Sequence, residues 1–271
     1  MKKIQLLTAE YSGLECVDIW NNRGIKTIFI DDWKTIDKNI PVLCASNLLR
    51  SNVRSWLNTG QIAIYAGRGY AGNHLYKHRL FHRASINGWA NTKLNPVPYS
   101  RWNIMNLPKH PWKVKEVKNV LIAPSKTTAQ IWTPDLDWRW AESMIEKFPG
   151  AEVRLREKPG KSGLRYETLW QDFDWADLVV SQSSAITVEA FWYGKKVIST
   201  QPCITWAAGP QDLDDWKNPK EPELREVWHE HLAWSQFTVD EWHTGETFDL
   251  IERYLGPVSD YTSNYSYNFK V

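Results

Sequence analysis

The chain has no apolar run longer than a strand. Runs such as those within residues 119–124 and 177–180 fall far short of the ~20 residues that cross a bilayer. Cysteine is scarce: Cys16, Cys44 and Cys203 are widely spaced, which excludes a disulfide framework and a CxxC metal site. Met1-Lys2-Lys3 leads into a short apolar run and then Glu10, without the apolar stretch and small-residue cleavage site of a secretory signal. These absences predict a soluble, cytoplasmic protein with no membrane partner.

Carboxylates are missing from a long stretch. Residues 38–115 hold 12 Lys/Arg and four His (His74, His78, His82, His110) without one Asp or Glu. Residues 211–252 reverse this, with 12 Asp/Glu against three Lys/Arg, so the net charge of +2 conceals a segregation. An unmixed cationic stretch favours a polyanionic partner through phosphate contacts and counterion release. Tryptophan, by contrast, is abundant: 17 in 271 residues. With 42% hydrophobic and 24% charged residues the composition is globular, which excludes collagen, coiled coil and bulk disorder.

The pattern predicts an α/β fold. A strand near residues 3–8, helical spacing over 13–22 capped by Gly24, and a β-branched strand at 26–30 make a βαβ unit and hence a parallel sheet. A helix at 47–58 and a strand at 61–66 follow, and the strand runs into the glycine-rich loop 67–72. Residues 90–112 carry four prolines and little periodicity, and read as an interdomain crossing. Strand–helix alternation then restarts: strands at 118–124, 151–156, 177–181 and 196–200, helices at 138–148 and 184–193. The expected organisation is two doubly wound halves, 1–112 and 113–256, with a tail at 257–271 that packs back on the first half or stays loose.

One stretch carries most of the chemistry. The strand Leu178-Val179-Val180-Ser181 enters a small polar turn at Gln182-Ser183-Ser184, then a helix containing Glu189, a glycine stop at Gly194 and another strand. Ser183 and Ser184 stand where helix N-caps stand, and a helix start suits phosphate. Glu189 lies near enough to the same crevice to accept hydrogen bonds from sugar hydroxyls. Upstream, Arg154, Arg156 and Lys158 leave a strand as alternating cations, as a diphosphate requires. The bland alternatives are capping serines, a surface glutamate and an edge strand guarded by charge.

The strand–Ser-Ser–helix motif with Glu189 and Gly194 resembles the nucleotide-binding half of GT-B glycosyltransferases and related sugar-nucleotide epimerases. That resemblance implies two Rossmann-like domains facing across a cleft, with a UDP-sugar class donor held by the second. Carried over, Ser183 and Ser184 match the diphosphate turn, Glu189 the ribose ligand, Arg154, Arg156 or Lys158 the diphosphate cations, and Ser125-Lys126-Thr127 the other loop flanking the donor. The chain also resembles short phage-associated proteins of this kind in residues 69–87, 111–125 and 232–246. It departs from the pattern in its short length, and in Glu157-Lys158-Pro159-Gly160 where a histidine-containing motif is usual.

Other constellations carry less. Asp135-Leu136-Asp137 follows Thr133-Pro134 and reads as a helix N-cap rather than a metal site, residues 212–215 as an acidic turn, and His229 with His231 lack a third metal ligand. No metal or bound cofactor is implied, although a divalent ion is compatible with the reaction class. The Gly67-x-Gly69-x-x-Gly72 pattern has no acidic residue about 20 positions on.

An inverting transferase needs a base on the acceptor side. The acid-free stretch prunes the alternatives to Glu10, Asp18, Asp31, Asp32, Asp37 or a histidine; Glu10, Asp31 and Asp32 follow strand ends, Asp18 lies within a helix, and His74 stands just past the glycine loop. A retaining enzyme would need none. Cations interleaved with aromatic rings, among them Arg68, Tyr70, Arg79 and Arg83, suit phosphates and exposed bases. In a phage setting, inside the host cytoplasm, this resembles enzymes that glycosylate hydroxymethylated pyrimidines in DNA (hydroxymethylcytosine, for example), with UDP-glucose or UDP-arabinose as co-substrate. The competing readings are a GT-B enzyme of surface polysaccharide, a sugar-nucleotide epimerase, and an inactive nucleic-acid-binding module.

Overall fold

A computed structural model describes residues 3–7, 15–30, 35–37, 39–45, 63–70, 81–86, 90–91, 94, 101–125, 139–156, 167–209 and 211–255. The chain divides into two compact units. The first takes Met1–Asn91, Asn95–Arg101 and Ala233–Val271, the second Thr92–Leu94 and Trp102–Leu232. Apart from the short segment 92–94, the chain passes to the second unit at 101/102. The chain crosses back at 232/233, so residues 233–255 group with the first unit. The expected tail at 257–271 lies outside the described residues, as does the expected helix at 47–58.

In the first unit β1 (Lys3–Leu7), α1 (Glu15–Asn22) and β2 (Lys26–Ile30) form the expected βαβ start, with β1 and β2 parallel. Three further strands complete the chain-order run: β3 (Val42–Ala45), β4 (Ala63–Arg68) and β5 (Phe81–Ile86). The sheet order is β10-β5-β4-β3-β1-β2, with β10 being Gln236–Thr238. β3, β5 and β10 are additions to the sequence expectation. β3 and β10 have only four and three residues, too short for a visible period. β5 and β10 are antiparallel to their neighbours, which closes an otherwise parallel sheet.

The second unit is a parallel sheet, order β7-β6-β8-β9, of β6 (Asn119–Ile122), β7 (Glu152–Leu155), β8 (Leu178–Ser181) and β9 (Lys196–Ser199). Between strands lie α3 (Trp140–Ile145), which follows the single-turn α2 (Trp102–Met105), then α4 (Glu167–Trp175) and α5 (Ala185–Trp192). All four residues of β8 are buried, and so are Thr187 to Trp192 of α5, which explains why both read as near-continuous apolar runs. A 3-10 helix (Ile204–Ala208) and α6 (Arg225–Ala233) follow, then α7 (Val239–Thr244) and α8 (Glu246–Leu255) behind β10. Both units are therefore α/β and mainly parallel, as expected for Rossmann-like halves. Among the described residues no helix is long and apolar enough to cross a membrane.

The tryptophan surplus has a structural explanation. Trp20, Trp192, Trp228 and Trp234 are fully buried. A buried indole gains by placing its N–H, and seven buried or half-buried ones do so on backbone carbonyls: Trp20 on Trp242, Trp102 on Leu107, Trp112 on Pro219, Trp192 on Pro108, Trp206 on Ser199, Trp228 on Ile204 and Trp242 on His82. Several join segments more than 80 positions apart. The rings pack inward while their N–H groups satisfy backbone carbonyls of loops, strands and helical turns.

The charge segregation also resolves in space. Arg101 of the acid-free stretch pairs with Glu241 at 2.6 Å, Lys109 pairs with Glu226, and the Trp102 amide donates to Glu230. The stretch without carboxylates finds them in the acidic segment. Part of the cationic surplus is thereby neutralised within the fold.

Candidate functional site

The second sheet has a topological switch point. From β6 the chain runs through α3 to β7 on one side, then through α4 to β8 on the other side of β6. The connections leaving β6 and β8 thus diverge, opening a crevice at their carboxyl ends, where ligands of doubly wound sheets sit. Ser125 follows β6, Arg156 follows β7, and Gln182, Ser183 and Ser184 follow β8.

Two reciprocal hydrogen bonds tie these loops. The Ser125 amide donates to Gln182 Oε1 at 2.9 Å, and the Ser183 amide donates to Ser125 Oγ at 3.1 Å. Ser183 is buried, and its hydroxyl donates to the Pro202 carbonyl at 2.8 Å, which brings in the loop after β9. Ser184 is the N-cap of α5, accepting from the Ile186 amide, and its own amide donates to Ser181 Oγ. Beneath them Ser199 Oγ donates to Thr187 Oγ1, which in turn donates to the Ser184 carbonyl. The two serines therefore cap and brace. What they leave toward the crevice is the first-turn amide of Ala185 on an exposed residue, with the positive end of α5 behind it.

Two charged groups of the site, Arg156 and Glu189, lie within electrostatic reach of each other. Glu189 is 3% exposed, midway along the fully buried face of α5. Burial works against the Arg156 charge, and the Glu189 carboxylate works for it. Arg156 also makes an ion pair with Asp172 of α4. Its backbone amide, held by the Ile122 carbonyl at 2.8 Å, fixes where the side chain starts. One guanidinium at the end of β7 is thus ion-paired with a carboxylate of α4 and within electrostatic reach of a buried carboxylate of α5. Such a group can hold an anion only by exchanging part of its present pairing.

Arg154 is placed otherwise. Its guanidinium stacks on Trp175 at 3.8 Å and bonds Glu152 at 3.0 Å, half exposed on the same flank of β7. Lys126, Thr127 and Lys158 lie outside the described residues, as do the base alternatives Glu10, Asp31, Asp32 and His74. The expected helix cap at 135–137 is likewise outside. The acidic turn at 212–215 is present, with the Asp214 amide donating to Asp212.

Of the acceptor-side residues, Tyr70 is buried with its amide on Gln236 Oε1 at 2.7 Å. Arg83 is buried too, its guanidinium 5.0 Å and 5.1 Å from the Tyr65 and Tyr70 ring centroids. The backbone of Arg68 closes β4 opposite His82. Arg79 lies outside the described residues. Arg83 with Tyr65 and Tyr70 forms a buried cation–aromatic cluster within the unit.

Gln182 and Asp172 were not legible as site residues. A glutamine between a strand and a helix and an aspartate within a helix are unremarkable until the loops after β6 and β8 bond each other and Arg156 pairs with α4. Among the described residues no group of three His, Cys, Asp or Glu side chains gathers as metal ligands would.

No family model and no curated protein matches the chain. Among solved structures, the chain is similar to the β-Kdo 2,7 transferase of Thermosulfurimonas dismutans KpsC, at 12% identity and TM-score 0.48 over 93% of this chain and 99% of that one. It is similar in the same degree to the β-Kdo 2,4 transferase of KpsC from that organism, at 11% identity and TM-score 0.46 over 90% and 97%.

Proposed function

We propose that the chain is a glycosyltransferase that takes its sugar from a nucleotide-activated donor bound at the carboxyl edge of the second unit. The observation that carries this is the braced crevice between β6 and β8. Amides and hydroxyls from two loops converge at the start of α5, with Arg156 and the buried Glu189 beside them. A phosphate group at the α5 start gains the helix dipole and the Ala185 amide, Arg156 balances the charge of the departing nucleotide, and Glu189 accepts from ribose hydroxyls. The donor in this reading is of the UDP-glucose or UDP-arabinose class.

For the acceptor, the acid-free stretch supports hydroxymethylated pyrimidine in DNA, reached by exposing the base. A second reading, an acceptor glycan of a surface polysaccharide, is favoured by a different observation. Arg83 and Arg101 are 6% and 4% exposed, and Lys109 is paired with Glu226, so these cations are turned to their own fold.

The test is transfer of label from UDP-[14C]glucose and UDP-[14C]arabinose to hydroxymethylated DNA, to unmodified DNA and to polysaccharide fractions. Label in hydroxymethylated DNA alone supports the first acceptor, and label in polysaccharide the second. If no arm gains label and titration shows no nucleotide binding, the transferase reading is wrong.

A further inference from the structure

The two edges of the second sheet are finished differently. At β9 the edge is covered: Val197, Ile198 and Ser199 are buried, and the Ser199 amide, which turns away from β8, donates to Gln211 Oε1 at 2.7 Å. At β7 it is open. Glu152, Arg154 and Leu155 are exposed, and no strand lies beyond β7 among the described residues. The amides of Glu152 and Arg156 donate to the Lys118 and Ile122 carbonyls, both at 2.8 Å. Alternate positions therefore face β6, and Val153 and Leu155 turn their N–H and C=O groups outward. The Ala151 amide is held by the Phe148 carbonyl at 3.2 Å, which leaves the Ala151 carbonyl for that side.

The charges on this edge are mixed. An edge guarded by charge of one sign repels another copy of itself. Glu152 and Arg154 carry both signs on one face of the strand and pair with each other at 3.0 Å, their side chains 61% and 54% exposed. Val153 points to the other face, against the core that holds Trp140 and Met144, and Leu155 on that face is 47% exposed.

Such a strand is complementary to itself. An antiparallel copy with Val153 opposite Val153 sets Glu152 opposite Arg154 on both sides of the centre, and Leu155 opposite Ala151. Val153 then exchanges both backbone bonds with its counterpart, and each Leu155 amide meets an Ala151 carbonyl. Each charge keeps its present partner and gains a second across the pair, with like charges on the diagonals. Sliding the copy by two residues sets Arg154 against Arg154 or Glu152 against Glu152, so charge selects the register.

We propose that the outer edge of β7 pairs antiparallel with β7 of a second copy of the chain, joining two four-stranded sheets into one. The pairing does not depend on the proposed reaction.

Sedimentation equilibrium of the full chain tests this. A dimer with Kd of about 1–100 μM is expected, as suits a small interface. Glu152→Arg and Arg154→Glu each set like charges across the pair, and each is expected to weaken it at least about tenfold. Mixed in equal amounts, these two variants are expected to associate at least about tenfold more tightly than either alone, because every facing pair is again of opposite sign. Val153→Pro removes the central outward N–H, a change that a free edge tolerates, and is expected to abolish the dimer. A wild-type chain still monomeric at about 1 mM would leave the edge to another partner and overturn the proposal. A dimer unchanged by both charge substitutions, or no gain on mixing, would overturn it too.

Discussion

Ser183 donates its amide to Ser125 Oγ across 58 positions of sequence, while the Ser125 amide is held by Gln182 beside it. These two bonds lock the loops after β6 and β8 into one rim, so the crevice at the switch point is built before any ligand arrives. Preorganisation of this kind lowers the ordering cost of binding.

Loosening that rim is expected to cost affinity more than stability. Ser125→Ala and Gln182→Ala should each reduce UDP binding about five- to tenfold, with about 1 kcal/mol lost from unfolding free energy. Calorimetric titration with UDP and urea unfolding measure the two separately. Unchanged UDP affinity in both variants would contradict the placement of the nucleotide.

Arg156 is ion-paired with Asp172 and within electrostatic reach of Glu189, so its removal leaves both carboxylates without that cation. Arg156→Ala is expected to lower UDP affinity at least about tenfold, and Arg156→Lys to restore only part of it, since a point charge replaces a planar fork. Arg154→Ala, on the half-exposed flank, should leave UDP binding nearly unchanged. Equal losses from both arginines would refute the distinction between them.

The Arg101–Glu241 pair holds the first unit together at its return crossing. Arg101 also donates to the Ala233 carbonyl and lies over Trp234 and Phe237, while Glu241 completes the capping box of α7 with Thr238. Breaking a buried pair strands the other charge, so Arg101→Ala should destabilise by about 3–5 kcal/mol. Glu241→Gln, which keeps the capping acceptor, should cost less. Chemical denaturation of both variants decides.

His229 predicts a pH dependence of stability. It is 1% exposed, edge-on to Trp102 and Trp228, and burial pushes its pKa down to about 4. Arg225 and Lys109 add to the lowering, and Glu226 opposes it. The unfolded histidine takes its proton near pH 6.5 and the folded one only near 4, so the unfolded state binds more protons between these values. Stability therefore falls as pH drops from about 6.5 to 4, by about 3 kcal/mol in all, and this loss levels off below. His229→Phe should flatten that window. An unchanged slope in the variant would assign the acid sensitivity elsewhere.

Gly194 ends α5 at φ +90°, and a Cβ there would stand 2.0 Å from the Pro111 carbonyl oxygen. The glycine stop legible in the sequence is thus also a close backbone approach, sealed by the Lys113 amide on the Gly194 carbonyl. Gly194→Ala is expected to cost about 2 kcal/mol or more, read as a lowered Tm.

The sequence by itself determined the α/β class, the alternation around β1–α1–β2 and β8–α5–β9, and the helix stops at Gly24 and Gly194. Those signals are local: period, β-branching and glycine at positive φ. It also pointed to Ser125, Ser183, Ser184, Arg156 and Glu189, because strand ends and helix starts are readable one segment at a time. Only the tertiary structure decided that Ser183 and Ser125 bond each other, that Asp172 shares Arg156, and that β10 returns 233–255 to the first unit. The meaning of the charge segregation was likewise decided there. Arg101 and Lys109 lie 140 and 117 positions from Glu241 and Glu226. A stretch that looks uniformly cationic along the chain is partly neutral in the fold, since short-range Coulomb attraction depends on distance in space and sequence spacing does not report it.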